Sequence, residues 1–277
     1  MELSIPLFDG LSLKVADQSG DADGYPTRRL QKGLLLLDGR QELAEEAVGF
    51  GVPILKRGVL TIFPGEMELA WRRTGPLWDV TAVFGMDLVE RLARPGGASL
   101  QSGVLYAAKD SLAALHRRVP PLRGPLSAAS TTLRRIFGWV TTYEQAEVCA
   151  RLKVTYSIDG EHGKIRVAVD LTGLPADVTE VVVMNELGGR HFERYTDVDG
   201  MDLSGDEIGT WDEVTAAEAG FVSSANRVAF SLGQVEGASL SRGRELIGSR
   251  LAWSGFGYSL PPTLSAFAYD VRIERMP

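Results

Sequence analysis

In the stretch Asn185-Glu186-Leu187-Gly188-Gly189-Arg190-His191 an amide, a carboxylate and an imidazole lie close together along the chain. Histidine titrates near neutrality and a neighbouring carboxylate orients its ring, so Glu186 and His191 form a candidate acid/base pair. The preceding residues, "EVVVMNEL", read as a strand with an almost continuous apolar run, which places Asn185 and Glu186 at its polar end. A buried strand holds such groups rigidly while the loop after it leaves them accessible. The competing reading is structural, with His191 and Glu193 alternating outward and Phe192 packed inward.

Two further stretches carry groups suited to binding. In "GRELIGSRLAWSGFGYSLPP", Arg244 and Glu245 precede Trp253, Phe256 and Tyr258, with Gly255 and Gly257 interleaved. Flat aromatic faces stack on an apolar ligand face while Arg and Glu hydrogen-bond its hydroxyls, the combination a sugar-like ligand requires. The alternative is that these aromatics are core residues of a strand pair. In "GRQELAEEAVGFGVP", Glu45 and Glu46 precede Gly49 and Gly51, which offer unusual backbone freedom before Pro53. That glycine pair either brings backbone close to a ligand or turns a corner between sheets. Hydrolysis of a glycosidic bond needs two carboxylates, one protonated and one ionised. Glu186 with one of Glu45, Glu46 or Asp197 meets that need.

The acidic run "DVDGMDLSGDE", from Asp197 to Glu207, has enough oxygens for a calcium ion but puts Gly200 at the fourth loop position rather than the sixth. A turn between strands explains it without a metal, and the same holds for Asp17, Asp21 and Asp23. No metal and no cofactor is expected. His116, His162 and His191 are far apart, Cys149 is the only cysteine, and no phosphate-binding, nucleophile-elbow or zinc-protease motif is present. With 29 Lys and Arg against 36 Asp and Glu, the net charge of -7 opposes binding to nucleic acid or anionic membrane. The N-terminal residues lack a basic segment followed by an apolar one, and no window is apolar enough to span a bilayer, which gives a cytoplasmic expectation.

The elements that would position these groups are short strands. "RLKVTYSIDGEHGKIRVAVDL" alternates apolar and polar residues on both sides of a Gly-bearing turn, which predicts an antiparallel hairpin with His162 at its tip. "MELAWRR" and "AFAYDVRIE" alternate likewise, and "LSLKV", "KGLLLL", "GVLTIF", "LWDVTAVF" and "RVAFSL" are shorter candidates. Spacings of three and four predict two helices between Val104 and Phe137, and "TWDE" from Thr210 fits either the start of a third or an extended segment.

The expected fold is mainly β, an antiparallel layered or extended sandwich with a two-helix insertion near 104–137. Residues 1–277 are read as one unit, with 1–102, 103–138 and 139–277 as its subdivisions if it divides. The function this suggests is carbohydrate binding or carbohydrate chemistry on a small-molecule or oligosaccharide ligand. The rival is a non-catalytic structural domain that self-associates.

Overall fold

The computed structural model describes residues 2–16, 30–93, 140–247 and 251–277. The helical insertion expected at 104–137 and the loop with Asp17, Asp21 and Asp23 lie outside them. Among the described residues the regular structure is antiparallel β, and the helical element is one 3-10 turn at Gly205–Ile208. A small sheet runs in the order β1 (Glu2–Pro6), β2 (Leu11–Ala16), β3 (Leu35–Asp38) and β4 (Gln41–Glu42).

The second sheet has 14 strands. In chain order they are β5 (Gly49–Arg57), β6 (Leu60–Thr74), β7 (Leu77–Ala93), β8 (Val140–Asp159), β9 (Lys164–Asp170), β10 (Glu180–Leu187), β11 (Arg194–Asp197), β12 (Asp202–Ser204), β13 (Thr210–Glu213), β14 (Glu218–Ser223), β15 (Val228–Gly233), β16 (Ser239–Ile247), β17 (Leu251–Leu260) and β18 (Ala266–Arg275). Their order in the sheet is β12-β11-β14-β15-β18-β9-β8-β7-β6-β5-β10-β17-β16-β13.

This sheet folds back on itself. Phe50 of β5 meets Phe230 of β15 edge-on at 5.3 Å, Phe256 of β17 lies 4.9 Å from Phe221 of β14, and Tyr258 of β17 lies 4.7 Å from Tyr269 of β18. Rings in contact between strands this far apart in the order belong to facing layers, so β5, β10, β17 and β16 lie over β11, β14, β15, β18 and β9. The core fills the space between, with Phe192, Phe221, Phe230 and Phe256 all fully buried.

The hairpin read from alternation is present. β8 pairs with β9 in the register Val154↔Val169, Tyr156↔Val167 and Ile158↔Ile165, and all six side chains are buried. His162 is exposed at its tip, 2.9 Å from Asp159 Oδ2. The alternating C-terminal segment is β18, whose Phe267, Tyr269, Val271 and Ile273 share the buried face.

The "TWDE" segment is not a helix start. It forms β13, which pairs with β16 with an irregularity between Thr210 and Asp212. Trp211, at that irregularity, has φ of 60°, a left-handed conformation incompatible with a right-handed helix.

Gly51 of "GFGVP" is the extra residue of a bulge. Phe50 pairs with Asn185 and Val52 with Met184, leaving Gly51 between them. Its φ is +77°, and a Cβ there would sit 2.7 Å from Tyr156 Cε1. Only glycine serves at this close approach.

Candidate functional site

Alternation along β10 sorts the residues at its end. Val181, Val183, Asn185 and Leu187 face the core, fully buried, and Val182, Met184 and Glu186 face the opposite side. The opposite side has its own apolar cluster of Leu30, Val48, Val52, Ile54, Leu88 and Met184, with Phe63, Tyr143, Val182 and Trp211 packed against it.

That cluster reveals curvature. In a flat sheet β8 would lie four strand spacings from β10, roughly 19 Å at about 4.8 Å per spacing. Yet Tyr143 of β8 packs on the cluster that includes Met184 of β10, and its hydroxyl feels the charge of Glu186. Trp211 of β13, from the opposite end of the sheet order, joins the same cluster. The face therefore curves into a trough occupied by the packed side chains of this cluster, with β5 and β10 along its floor, Phe63, Leu88 and Tyr143 on one wall, and β16, β17 and β13 on the other.

Glu186 sits on the floor at 7% exposure. Burial pushes its carboxyl up to about 8; the Val48 backbone N–H opposes this, and the nearby charge of Glu245 reinforces it. At neutral pH the group is mostly protonated. Burial likewise raises the Tyr143 hydroxyl, helped by the charges of Glu90 and Glu186, so it remains a hydrogen-bond donor across the neutral range. On the other wall Glu245 of β16 pairs directly with Trp253 of β17. Trp253 is stacked on Trp211 at 4.7 Å and 19°. A non-glycine residue in the left-handed region costs roughly 1–2 kcal/mol, so the packing of Trp211 on Trp253 offsets a strained backbone.

The structure thus brings together Glu186, Glu245 and Trp253 and adds Tyr143, Glu90 and Trp211, which sequence reading did not select. Trp211 lay hidden in the segment left open between a helix start and extended chain. Tyr143 belongs to an alternating stretch, Tyr143 and Gln145, whose partner strand precedes it by some fifty residues. No local pattern signals that pairing.

The other expected site residues lie elsewhere. Asn185 is in the core, where its Oδ1 accepts from Gly51 N (3.2 Å) and the Tyr269 hydroxyl (2.7 Å). Phe256 packs against Phe221, Phe230 and Tyr195. Tyr258 packs against Phe267 and Tyr269 and donates its hydroxyl to Gly233 O.

The loop after β10 is clamped from both sides. Arg244 Nε and Nη2 donate to Gly189 O at 3.1 and 3.0 Å. Glu45 accepts from Arg190 Nη1 at 3.0 Å, and its carbonyl accepts from Lys32 Nζ at 2.9 Å. Glu46 is half-buried in the same turn as Glu45. His191 Nδ1 lies 3.3 Å from Asn226 Nδ2, beside the β14–β15 turn.

Asp197 is a turn residue. Its Oδ1 accepts from the backbone of Asp199 and Met201, and its Oδ2 from the Tyr195 hydroxyl. Asp202 pairs with Arg194. Among the described residues no group of three or more His, Cys, Asp or Glu side chains is arranged to hold a metal ion. No helix among them is long and apolar enough to cross a membrane. Cys149 is half-buried, and burial raises its thiol pKa.

No family model matches the chain, and no curated protein matches it in sequence. Among solved structures, it is similar to the α-N-acetylgalactosaminidase NagBb from Bifidobacterium bifidum, with a TM-score of 0.49 and 10% identity over 99% of this chain and 36% of that one. The chain thus spans about a third of that enzyme's length. A structural-genomics target from Synechocystis gives a TM-score of 0.41 and 9% identity, covering 99% of this chain and 96% of that one. A candidate mutarotase, YeaD, from Salmonella typhimurium gives 0.40 and 8%, covering 99% and 90%. Likeness of this degree transfers no residue and no activity.

Proposed function

We propose that the trough around Glu186 binds a polyhydroxylated, sugar-like ligand and that Glu186 is its acid/base group. The observation that carries this reading is a buried carboxyl, held up to about 8, on the central strand of a curved face that also presents a second carboxylate and aromatic rings. A carboxyl tuned close to the working pH both gives and takes a proton readily. Glu245, the second carboxylate, is half-buried and stands where an ionised group could offset positive charge developing on a sugar ring. The Tyr143 hydroxyl supplies a donor, and Trp211 backed by Trp253 supplies a flat apolar surface for the C–H face of a ring. In this reading Glu45 and Arg244 act indirectly, by holding the loop that follows Glu186.

The test is a thermal-shift and calorimetric screen of mono- and oligosaccharides, followed by Glu186→Gln. A ligand that binds only the native state raises the midpoint, and Glu186→Gln is expected to melt no lower than the parent at pH 7, since it holds no buried titrating carboxyl, while losing turnover or at least tenfold in affinity. The reading fails if every hit binds Glu186→Gln as well as the parent and is processed as fast.

A further inference from the structure

Tyr143 packs on the apolar cluster that shares a face of β10 with Glu186, and it reaches that face only because three long strands change course. β6 and β7 pair as Phe63↔Leu88, Pro64↔Met86 and Glu66↔Gly85, so Gly65 and Asp87 are each an extra residue, side by side. Beyond them β7 pairs with β8 as Met86↔Ala150 and then Leu88↔Gln145, so residues 146–149 of β8 are looped out at the same level. On one side of this break, Val80, Ala82, Phe84 and Tyr156 line the sandwich core. On the other, Phe63, Leu88 and Tyr143 line the trough, with the Phe63 and Tyr143 rings edge-on at 5.2 Å.

A single carboxylate spans the break. Asp87 is 3% exposed. Its Oδ1 accepts from Gly65 N at 2.8 Å, and its Oδ2 lies 3.5 Å from Gln145 Nε2, so it touches all three strands. The fit to β6 is close, since a Cβ on Gly65 would lie 2.3 Å from Asp87 Oδ1. The charged neighbours are accounted for: Glu66, which raises the Asp87 carboxyl further after burial, is paired with Arg151 at 2.9 Å. Bulges at such positions re-aim side chains, and the desolvation of a buried carboxylate is offset here by hydrogen bonds to both flanking strands.

We infer that Asp87 is a positioning residue for the Glu186 site: by pinning the adjacent bulges of β6 and β7 to β8, it sets the wall that packs Tyr143 on the apolar cluster beside Glu186. The inference rests on the proposed reading only in taking Glu186 as the reactive group. Its test needs no ligand, so its failure is distinct from a failed sugar screen.

The Glu186 carboxyl is titrated by carbon-detected NMR in the parent, Asp87→Asn, Asp87→Ala, Tyr143→Ala and Ile5→Val. Asp87→Ala opens the wall to water, so the Glu186 midpoint should fall by about one pH unit or more toward the ordinary carboxylate range, and Tyr143→Ala should do the same. Asp87→Asn retains an oxygen for Gly65 N and should restore most of the parent value. Ile5→Val removes a buried methyl group from β1, the edge strand of the small sheet farthest in order from β4, and should leave the midpoint unmoved, which separates positioning from general loss of stability. A folded Asp87→Ala protein with the parent midpoint overturns the inference. If Asp87→Ala does not fold, Tyr143→Ala decides: a Glu186 midpoint still at the parent value means the wall does not tune the site, and the inference falls.

Discussion

Glu186 makes stability depend on pH in a direction opposite to that of an ordinary surface carboxylate. Its folded value of about 8 exceeds its normal 4.5, so between those limits the folded chain holds a proton that the unfolded chain has released. The stabilisation is fully present below 4.5 and is lost as pH rises through 8, with a slope of up to about 1.4 kcal/mol per pH unit. The carboxylates whose pKa is lowered, Asp159, Asp170, Asp177 and Asp202, titrate in the acid range, and the contribution of Asp87, which burial raises, cancels in a comparison with Glu186→Gln. Chemical denaturation between pH 5 and 8 should therefore show the parent losing stability relative to Glu186→Gln as pH rises. Parallel curves would mean that the carboxyl is not buried as described. Sequence made Glu186 visible because an acid closing an apolar strand is conspicuous. It could not sort Glu186 from Asn185, since adjacent residues on a strand face opposite sides and a nearly continuous apolar run does not say which side is which. The same ambiguity divided Trp253 from Phe256 and Tyr258.

At the level of strands, legibility followed periodicity. The β8–β9 hairpin and β18 were readable because one face is buried and the other wet. β6 appeared as two pieces, "GVLTIF" and "MELAWRR", because Pro64-Gly65 reads as a break; in the structure both residues sit in a bulge within one strand, where the ladder does not need the proline N–H. β13 stayed open between helix and extended chain because its capping pattern is local, whereas the pairing with β16 and the Trp211–Trp253 stack that decide its shape are remote in sequence. The bulge at Gly51 lends itself to direct measurement. Gly51→Ala adds a methyl group against Tyr156 and forces alanine to a φ of +77°. It should cost about 2–4 kcal/mol, seen as a lower urea midpoint at unchanged slope. A loss under about 0.5 kcal/mol would show that the strand relaxes freely there.

The trough is a property of the whole molecule, and this is why no stretch of sequence announced it. Its floor comes from β5 and β10, its walls from β6, β7 and β8 on one side and from β13, β16 and β17 on the other, and only the completed sheet brings them together. The layered β class was legible from composition and alternation, but strand order was not. That order has a consequence for behaviour in solution. The outermost strands of the large sheet, β12 and β13, are consecutive in the chain, joined by the 3-10 turn whose Ile208 is fully buried. The sheet comes almost full circle, so the two edges that would otherwise recruit strands from other molecules are tied to each other by a short buckle. Ile208→Asp should unfasten it, since an unpaired charge cannot stay in that position. The expected result is a variant that keeps its core signals yet scatters light increasingly with concentration and incubation time. A variant that stays monodisperse would show that the edges are guarded by the strands themselves, through contacts such as Arg194 with Asp202 and Arg242 with Glu213 O, rather than by the buckle.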